Sequence, residues 1–310
     1  MEMLVPILAV AVRSGTPILY ATLGEILTEK SGVMNLGLEG IMLMGAFSGF
    51  AASLSTGNPW LGLLAAFGTG ACLGLIHAFL TVSLGSNQVV CGLAMTVFGS
   101  GTSALMGRSY IGRTIPGMAG YEIPFLSEIP VAGRVFFSQD AMVYASFCLV
   151  PLMFFFLRRT RPGLNLRAVG DSPKAADALG ISVARVRYTY TILGAGLVAL
   201  GGAYMSVAYN KFWAEGMTAG RGWIAVAMVI FAIWNPFQAA LGAYLFGGVE
   251  AFQLRLQAAG TSIPTPLLMM TPYIMTILVL LFISIAGKQR KVLLAAPAAL
   301  GIPFYREERD

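Results

Sequence analysis

Between Gly40 and Gly107 the chain runs for 68 residues without one Asp, Glu, Lys or Arg. A soluble domain, with about 25% charged residues, would interrupt such a stretch many times. A helix needs about 20 apolar residues to cross the hydrocarbon core, so two or three crossings fit in this run. Further uncharged runs occupy Ala141–Leu157, Tyr188–Asn210, Gly222–Val249 and Leu256–Gly287. They are continuously apolar instead of alternating, which indicates helices and not barrel strands. With 57% hydrophobic and 11% charged residues, the chain reads as an all-α polytopic membrane protein. A single transmembrane domain over 1–310 is expected, with eight to ten helical passes, some of them short or broken.

The one long polar interruption is Arg158–Arg187, which carries seven basic residues against Asp171 and Asp177, a net of +5. Within it Ser172 suits an N-cap, Pro173 suits the first helical position and Gly180 is placed to close the helix. A helix of about two turns is predicted at about 173–179, roughly 10 Å long. It is expected to expose Ala175, Ala176, Leu179 and Ile181 to a partner's groove. The alternative is an ordinary solvated loop.

Basic residues favour cytoplasmic loops, which places 158–187 inside together with a tail that begins Lys288, Arg290, Lys291. The segment Arg108–Asp140, in which Arg108, Arg113 and Arg134 balance Glu122, Glu128 and Asp140, then falls outside. Counting back puts Ser86-Asn87 inside, Asn58-Pro59 outside and Glu29-Lys30 inside. The N-terminus lies outside if Met3–Leu27 crosses once, although Arg13 is able to break that crossing. MEMLVPILAV lacks a basic leader region, so the first apolar segment is expected to remain as a membrane helix. The net charge of +6 sits in loops and implies no nucleic acid. Downstream, Asn235-Pro236 divides Gly222–Val249 into halves of about 20 Å each, either tilted short spans or broken helices lining a protected cavity.

Energy-converting chemistry is missing. No G-x-x-x-x-G-K-[ST] phosphate loop occurs, and Gly287-Lys288 is the nearest approach to one. The lone His77 reads as a hydrogen-bonded packing residue, and Cys72, Cys91 and Cys148 read as packing residues without metal or redox spacing. No metal set, nucleophile–base pair or acid pair supports an enzyme. Among the ionisable residues Arg13, Glu25, Glu39, Glu250 and Arg255, the most notable is Glu39 in Asn35-Leu36-Gly37-Leu38-Glu39-Gly40. It either gates a path or caps and pairs locally, for example with Lys30. With it, Asn35, Asn87, Gln88, Thr96 and Ser100 form a candidate translocation path for a neutral, hydroxyl-rich solute, with Thr102 nearby. Such residues equally join helices by hydrogen bonds. Phe98, Tyr204, Tyr209, Trp213 and Trp223 offer faces for a base, although Trp213 and Trp223 also fit an interfacial belt. The spacings Gly45-x-x-x-Gly49 and Gly70-x-x-x-Gly74 predict close helix packing.

Two segments carry a resemblance to a known family. Ala168-Val169-Gly170-Asp171-Ser172-Pro173-Lys174-Ala175-Ala176-Asp177-Ala178-Leu179-Gly180-Ile181 resembles the cytoplasmic loop of the inner-membrane permease subunits of bacterial ABC importers for branched-chain amino acids, ribose and related sugars. Gly32-Val33-Met34-Asn35-Leu36-Gly37-Leu38-Glu39-Gly40 looks most like the nucleoside branch of that family. Gly220–Ala227 is similar to the segment preceding the family's short helices.

The resemblance implies a type II-like importer bundle in the bacterial inner membrane, with a coupling helix served by Arg167, Gly170, Pro173, Lys174, Ala175, Ala176, Leu179, Gly180 and Ile181. It implies, as partners, an ABC ATP-binding subunit that uses ATP and Mg, a second permease, an extracytoplasmic solute-binding protein and membrane lipid. No cofactor is expected on this chain itself. Nucleoside import comes first, simple-sugar or branched-chain amino acid import second, and an ATPase-independent secondary carrier is the remaining rival.

Overall fold

The computed structural model describes residues 4–261, 263–278, 281 and 296–306. The tail residues Lys288, Arg290 and Lys291 lie outside the described residues. In chain order the helices are α1 (Leu4–Lys30), α2 (Leu38–Thr56), α3 (Pro59–Ala78, continued by the π-helical turn Phe79–Ser83) and α4 (Gln88–Gly107). A compact cap follows, with strand β1 (Gly120–Glu122), helix α5 (Ala132–Phe136) and strand β2 (Ser138–Asp140). Then come α6 (Ala141–Arg159), α7 (Arg161–Asp171), α8 (Pro173–Ala178) and α9 (Val183–Tyr204, continued by the π-helical turn Met205–Tyr209). The last described helices are α10 (Arg221–Phe231), α11 (Pro236–Ala258) and α12 (Thr265–Met269).

Among the described residues six helices are long and apolar enough to cross a membrane: Val5–Lys30, Leu38–Thr56, Pro59–Ser83, Gln88–Tyr110, Ala141–Arg159 and Val183–Tyr209. Arg221–Phe231 and Thr265–Leu278 are shorter apolar helices. The fold is helical as expected, apart from the antiparallel pair β1–β2, in which Gly120 faces Asp140 and Glu122 faces Ser138.

The expected break at Arg13 does not occur. α1 is one continuous helix, and the Arg13 guanidinium leaves it sideways, donating from Nε to Gln139 Oε1 at 2.8 Å and from Nη2 to the Ser138 carbonyl at 3.2 Å. A long basic side chain can thus sit on an apolar helix with its charge in the polar cap. Of the three cysteines only Cys91 is buried. Cys72 and Cys148 stand exposed on helix surfaces and are not packing residues.

The division at Asn235-Pro236 is real but unequal. Asn235 Oδ1 accepts the Phe237 N–H at 3.0 Å and Pro236 opens α11, which runs on through Glu250 and Arg255 for 23 residues, about 34 Å. α10 has 11 residues, about 16 Å, half a hydrocarbon core. Its start lies inside the bundle. Upstream, Thr114 pairs with Phe212 at the cap, and residues 210–220 run as irregular backbone in which Trp213 and Thr218 are buried while Lys211, Phe212, Glu215, Gly216 and Ala219 are exposed. At its far end Trp234 Nε1 donates to Glu29 Oε2 at 2.6 Å, beside the last turn of α1.

α9 is the packing axis. Lipid tails offer no hydrophobic drive for helices to associate, so small residues that let backbones approach supply the contact. Both predicted glycine spacings face it: Gly45 meets the Ala199 backbone, Gly49 meets Ala203, and Gly70 and Gly74 meet Ala195. A Cβ at Gly45 or Gly70 would overlap α9 backbone atoms. Gly45→Ala is therefore expected to cost about 1–3 kcal/mol, and Gly45→Leu to prevent stable assembly. Thermal unfolding of the detergent-purified variants checks this; an unchanged midpoint for Gly45→Leu would show that α2 and α9 are not packed this way.

Candidate functional site: an exposed short helix and a buried polar hub

The polar interruption holds two helices where one was predicted. Thr160 caps α7, its Oγ1 accepting the Gly163 N–H at 3.1 Å, and Pro162 sits in the first turn. α8 follows at once. Ser172 occupies its N-cap position and its backbone carbonyl accepts the Ala176 N–H at 3.0 Å, but its side chain makes no capping bond. The predicted stop is present. Gly180 has φ +81°, its N–H donates to the Asp177 carbonyl at 2.9 Å, and the Ile181 N–H donates to the Ala176 carbonyl at 3.0 Å. This double closure needs a left-handed residue, a conformation glycine adopts without cost.

The surface that α8 presents differs from expectation. Lys174, Ala175, Ala178 and Gly180 are exposed, and Leu179 is 81% exposed. Ala176 is not on that surface: at 2% exposure it packs with Val169 and Val183, flanked by half-buried Ile181 and by Phe304. Six helical residues give too little periodicity to tell the two faces apart in advance. Pro173 is half-buried. Arg167 and Gly170 lie at the root of the helix pair. Gly170 abuts the Lys30 carbonyl where α7 crosses the end of α1, leaving no room for a side chain.

A third partner holds this platform, and the sequence carried no sign of it. Residues 296–306 lie across α7 and α8: Ala299 N–H donates to the Gly170 carbonyl at 2.9 Å, Gly301 N–H to the Gly32 carbonyl at 3.2 Å, and Arg306 Nε to Asp177 Oδ2 at 3.2 Å. Arg187, buried at the foot of α9, donates from Nη1 to the Ile302 carbonyl at 3.0 Å. The exposed helix therefore stands on a fastened base.

The candidate path residues separate into two groups. Asn35, Gln88 and Thr96 fix the loop between α1 and α2. Gln88 Oε1 accepts the Met34 N–H at 2.7 Å, Asn35 Oδ1 accepts the Gly37 N–H at 2.9 Å, and Thr96 Oγ1 donates to the Leu36 carbonyl at 3.0 Å. His77 joins them through Nε2 and the Met34 carbonyl at 3.0 Å, and Glu25 Oε1 accepts the Asn35 N–H at 2.9 Å. Asn87 is exposed and caps α4 by accepting the Val90 N–H at 3.1 Å; Ser100 is exposed on α4.

Glu39 stands apart. Its Oε1 accepts the Thr218 hydroxyl at 2.6 Å and the Gly220 N–H at 2.9 Å, and its Oε2 accepts the Gly222 N–H at 2.7 Å. A carboxylate from α2 thus caps the N-terminus of α10, where unpaired N–H groups and the positive end of the helix dipole favour negative charge. Capping was expected as one role, but its object is α10 and not Lys30. Next to it Arg221 donates to the Thr218 carbonyl at 3.1 Å and pairs with Glu250 of α11.

Arg221 and Glu250, with Gln253 and Tyr273, line a cavity of about 470 Å³ that is otherwise apolar, with walls from α1, α10, α11 and the segment after α12. None of Asn35, Glu39, Asn87, Gln88, Thr96 and Ser100 lines it. Four polar side chains in an apolar chamber are a setting that can orient a polar solute. The proposed aromatic faces are elsewhere. Trp213 and Tyr204 are buried, Trp213 edge-on to Phe47 at 6.3 Å and Tyr204 donating to Asp140 Oδ2 at 3.1 Å. Tyr209 stacks on Tyr204 at 6.4 Å, while Phe98 and Trp223 remain exposed on the bundle surface.

Residues 7–281 match the family described as branched-chain amino acid transport system / permease component. A putative glucose ABC transporter permease protein, TsgC13 of Haloferax volcanii, is 40% identical over 98% of this chain and 98% of its own length. The guanosine ABC transporter permease protein NupQ of Bacillus subtilis is 35% identical over 94% of both chains. The nucleoside ABC transporter permease protein NupC of Lactococcus lactis subsp. cremoris is 34% identical over 94% of both. Each of these organisms also holds a second, more distant ABC permease similar to this chain, at 26%, 23% and 22% identity. With that match over most of its length and six apolar helices long enough to span a bilayer, the chain belongs to the branched-chain amino acid transport system permease family and is a multi-pass ABC transporter permease.

Proposed function

We propose that this chain is one of two permease subunits of an ATP-driven importer that moves nucleosides inward across the bacterial inner membrane by alternating access. The observation that carries the proposal is α8, a short helix that holds its Leu179 81% exposed on a base fastened by α7, α9 and residues 296–306. An exposed leucine on a rigid projection is suited to fill a pocket on a partner. That partner is an ATP-binding subunit, which uses ATP and Mg, and whose closure moves α8 as a rigid body. The net charge of +5 on 158–187 supports a cytoplasmic position for α8, since basic loops favour that side. Residues 296–306, which bind it, lie there too, and the cap around β1 and β2 faces outside with the start of α1. Coupling runs through Leu179 and its exposed neighbours Lys174, Ala175 and Gly180, whereas Gly170, Ala176 and Ile181 seat the helix.

The second permease is a different protein. Support comes from the occurrence of two similar permeases in each of three organisms, one at 34–40% and one at 22–26% identity. An external binding protein delivers the solute to the cap. Nucleosides are favoured over sugars because two of the three relatives named above are described as guanosine or nucleoside permeases, and amino acids come last. The 470 Å³ chamber with Arg221, Glu250, Gln253 and Tyr273 is the proposed solute-contact region. Competition for uptake separates the solutes. Labelled guanosine should be displaced by unlabelled adenosine or guanosine and not by glucose or leucine; displacement by glucose alone would assign the sugar reading.

A further inference from the structure

At the end of the bundle that carries α7 and α8, a pocket of about 320 Å³ opens between the α6–α7 junction and the turn from α10 to α11. Its wall holds three cations, Lys30, Arg158 and Arg167, and the amides of Asn235 and Gln238; no Asp or Glu lines it. The Lys30 ammonium lies 5.5 Å from the centre of the Trp234 ring, and the Arg158 guanidinium 4.7 Å from that of Phe154, contacts that orient both charges. Arg167 Nε–H is buried and makes no hydrogen bond. A buried charged donor without an acceptor is costly unless something fills that role.

At the pocket α6 and α11 adjoin, with Phe154 edge-on to Phe237 at 5.0 Å. Leu152 and Phe155 of α6, and Phe237 and Leu241 of α11, are all exposed. These helices belong to the membrane bundle, so their exposed apolar side chains face hydrocarbon next to the charged pocket. An anion with long apolar chains matches both parts, and pockets of basic residues between membrane helices at the interface select anionic headgroups.

We propose that the pocket of Lys30, Arg158 and Arg167 binds the phosphodiester headgroup of an anionic phospholipid, whose acyl chains lie along the exposed apolar side chains of α6 and α11. The site touches the root of α7 and the foot of α1, and so ties the base of the coupling helix to the bilayer. It is independent of which solute the permease carries.

The test is native mass spectrometry of the full chain, purified from membranes with its accompanying subunits and equilibrated with equal amounts of phosphatidylglycerol and phosphatidylcholine. The wild-type protein should retain phosphatidylglycerol preferentially. At about 1 kcal/mol for each interfacial cation, Arg158→Gln should weaken that retention about 5-fold and Arg158→Gln with Arg167→Gln about 25-fold. Arg134→Gln, exposed at the opposite end, should leave it unchanged. Arg158 is itself exposed, so the single variant stays informative if the double variant does not fold. Equal retention of the two lipids by the wild type, no loss in Arg158→Gln, or displacement of the lipid by millimolar inorganic phosphate would overturn the proposal. Those side chains found covered by a second permease in the purified assembly, with no lipid retained, would do the same.

Discussion

Leu179→Asp is expected to reduce ATP-driven solute uptake by at least about 10-fold while the membrane bundle stays assembled. Leu179 is 81% exposed and touches no buried cluster, so the chain itself loses little when it is replaced. If Leu179 is one of the few side chains that carry the interface, truncating it costs about 2 kcal/mol or more, about 30-fold in affinity, and a buried carboxylate adds a desolvation penalty. Uptake in membrane vesicles, with the amount of inserted protein measured in parallel, checks this. Wild-type uptake by a fully inserted variant would remove α8 from the coupling role. Ala176→Arg is a poorer probe, because Ala176 is inside the small core beneath α8 and a bulky charge there breaks the platform before it tests the interface.

The second large effect is expected at Glu39. Three donors converge on its carboxylate, two of them backbone N–H groups at the start of α10. Hydrogen bonds to charged groups contribute about 1.5–3 kcal/mol each. Glu39→Gln keeps one acceptor oxygen but turns an amide N–H₂ toward a backbone donor, leaving an N–H unpaired inside the bundle. A loss of about 3 kcal/mol or more follows, and α10, with Arg221 and Glu250 behind it, loses its fixed position. Thermal stability and uptake measured on the same preparation separate the alternatives. A cap predicts that both fall together, whereas a gate predicts reduced uptake at normal stability.

Much of the bundle was legible in the sequence because apolar runs and small-residue spacings act locally. Gly45, Gly49, Gly70 and Gly74 announced close packing, and the partner they meet, the Gly- and Ala-rich face of α9, lies in the same kind of sequence. The stop at Gly180 was legible because left-handed closure leaves few residue choices. What escaped notice was contact at long range. Glu39 and its donors Thr218, Gly220 and Gly222 are separated by 179 to 183 positions, so no local pattern links them. Residues 296–306 have no helical period, and their grip on Gly170 and Arg187 is made largely through backbone groups that every sequence possesses. α7 has its signals in Thr160 and Pro162, an N-cap and a first-turn proline set among arginines whose charge equally fits a solvated loop. Asn35, Gln88 and Thr96 read as candidate path residues because they are polar groups in an apolar run. Their bonds go to the loop between α1 and α2, as polar groups among membrane helices commonly bond to backbone.

The central claim is that this permease works only when an ATP-binding partner is seated on α8. The most direct measurement is guanosine uptake, with and without ATP, by proteoliposomes made from the assembly purified through this chain from its own membranes. An ATP-binding subunit and a second permease are expected to purify with it, and uptake is expected to stop when ATP is withheld. Recovery of this chain alone, with uptake indifferent to ATP, would contradict the account and identify a self-sufficient carrier.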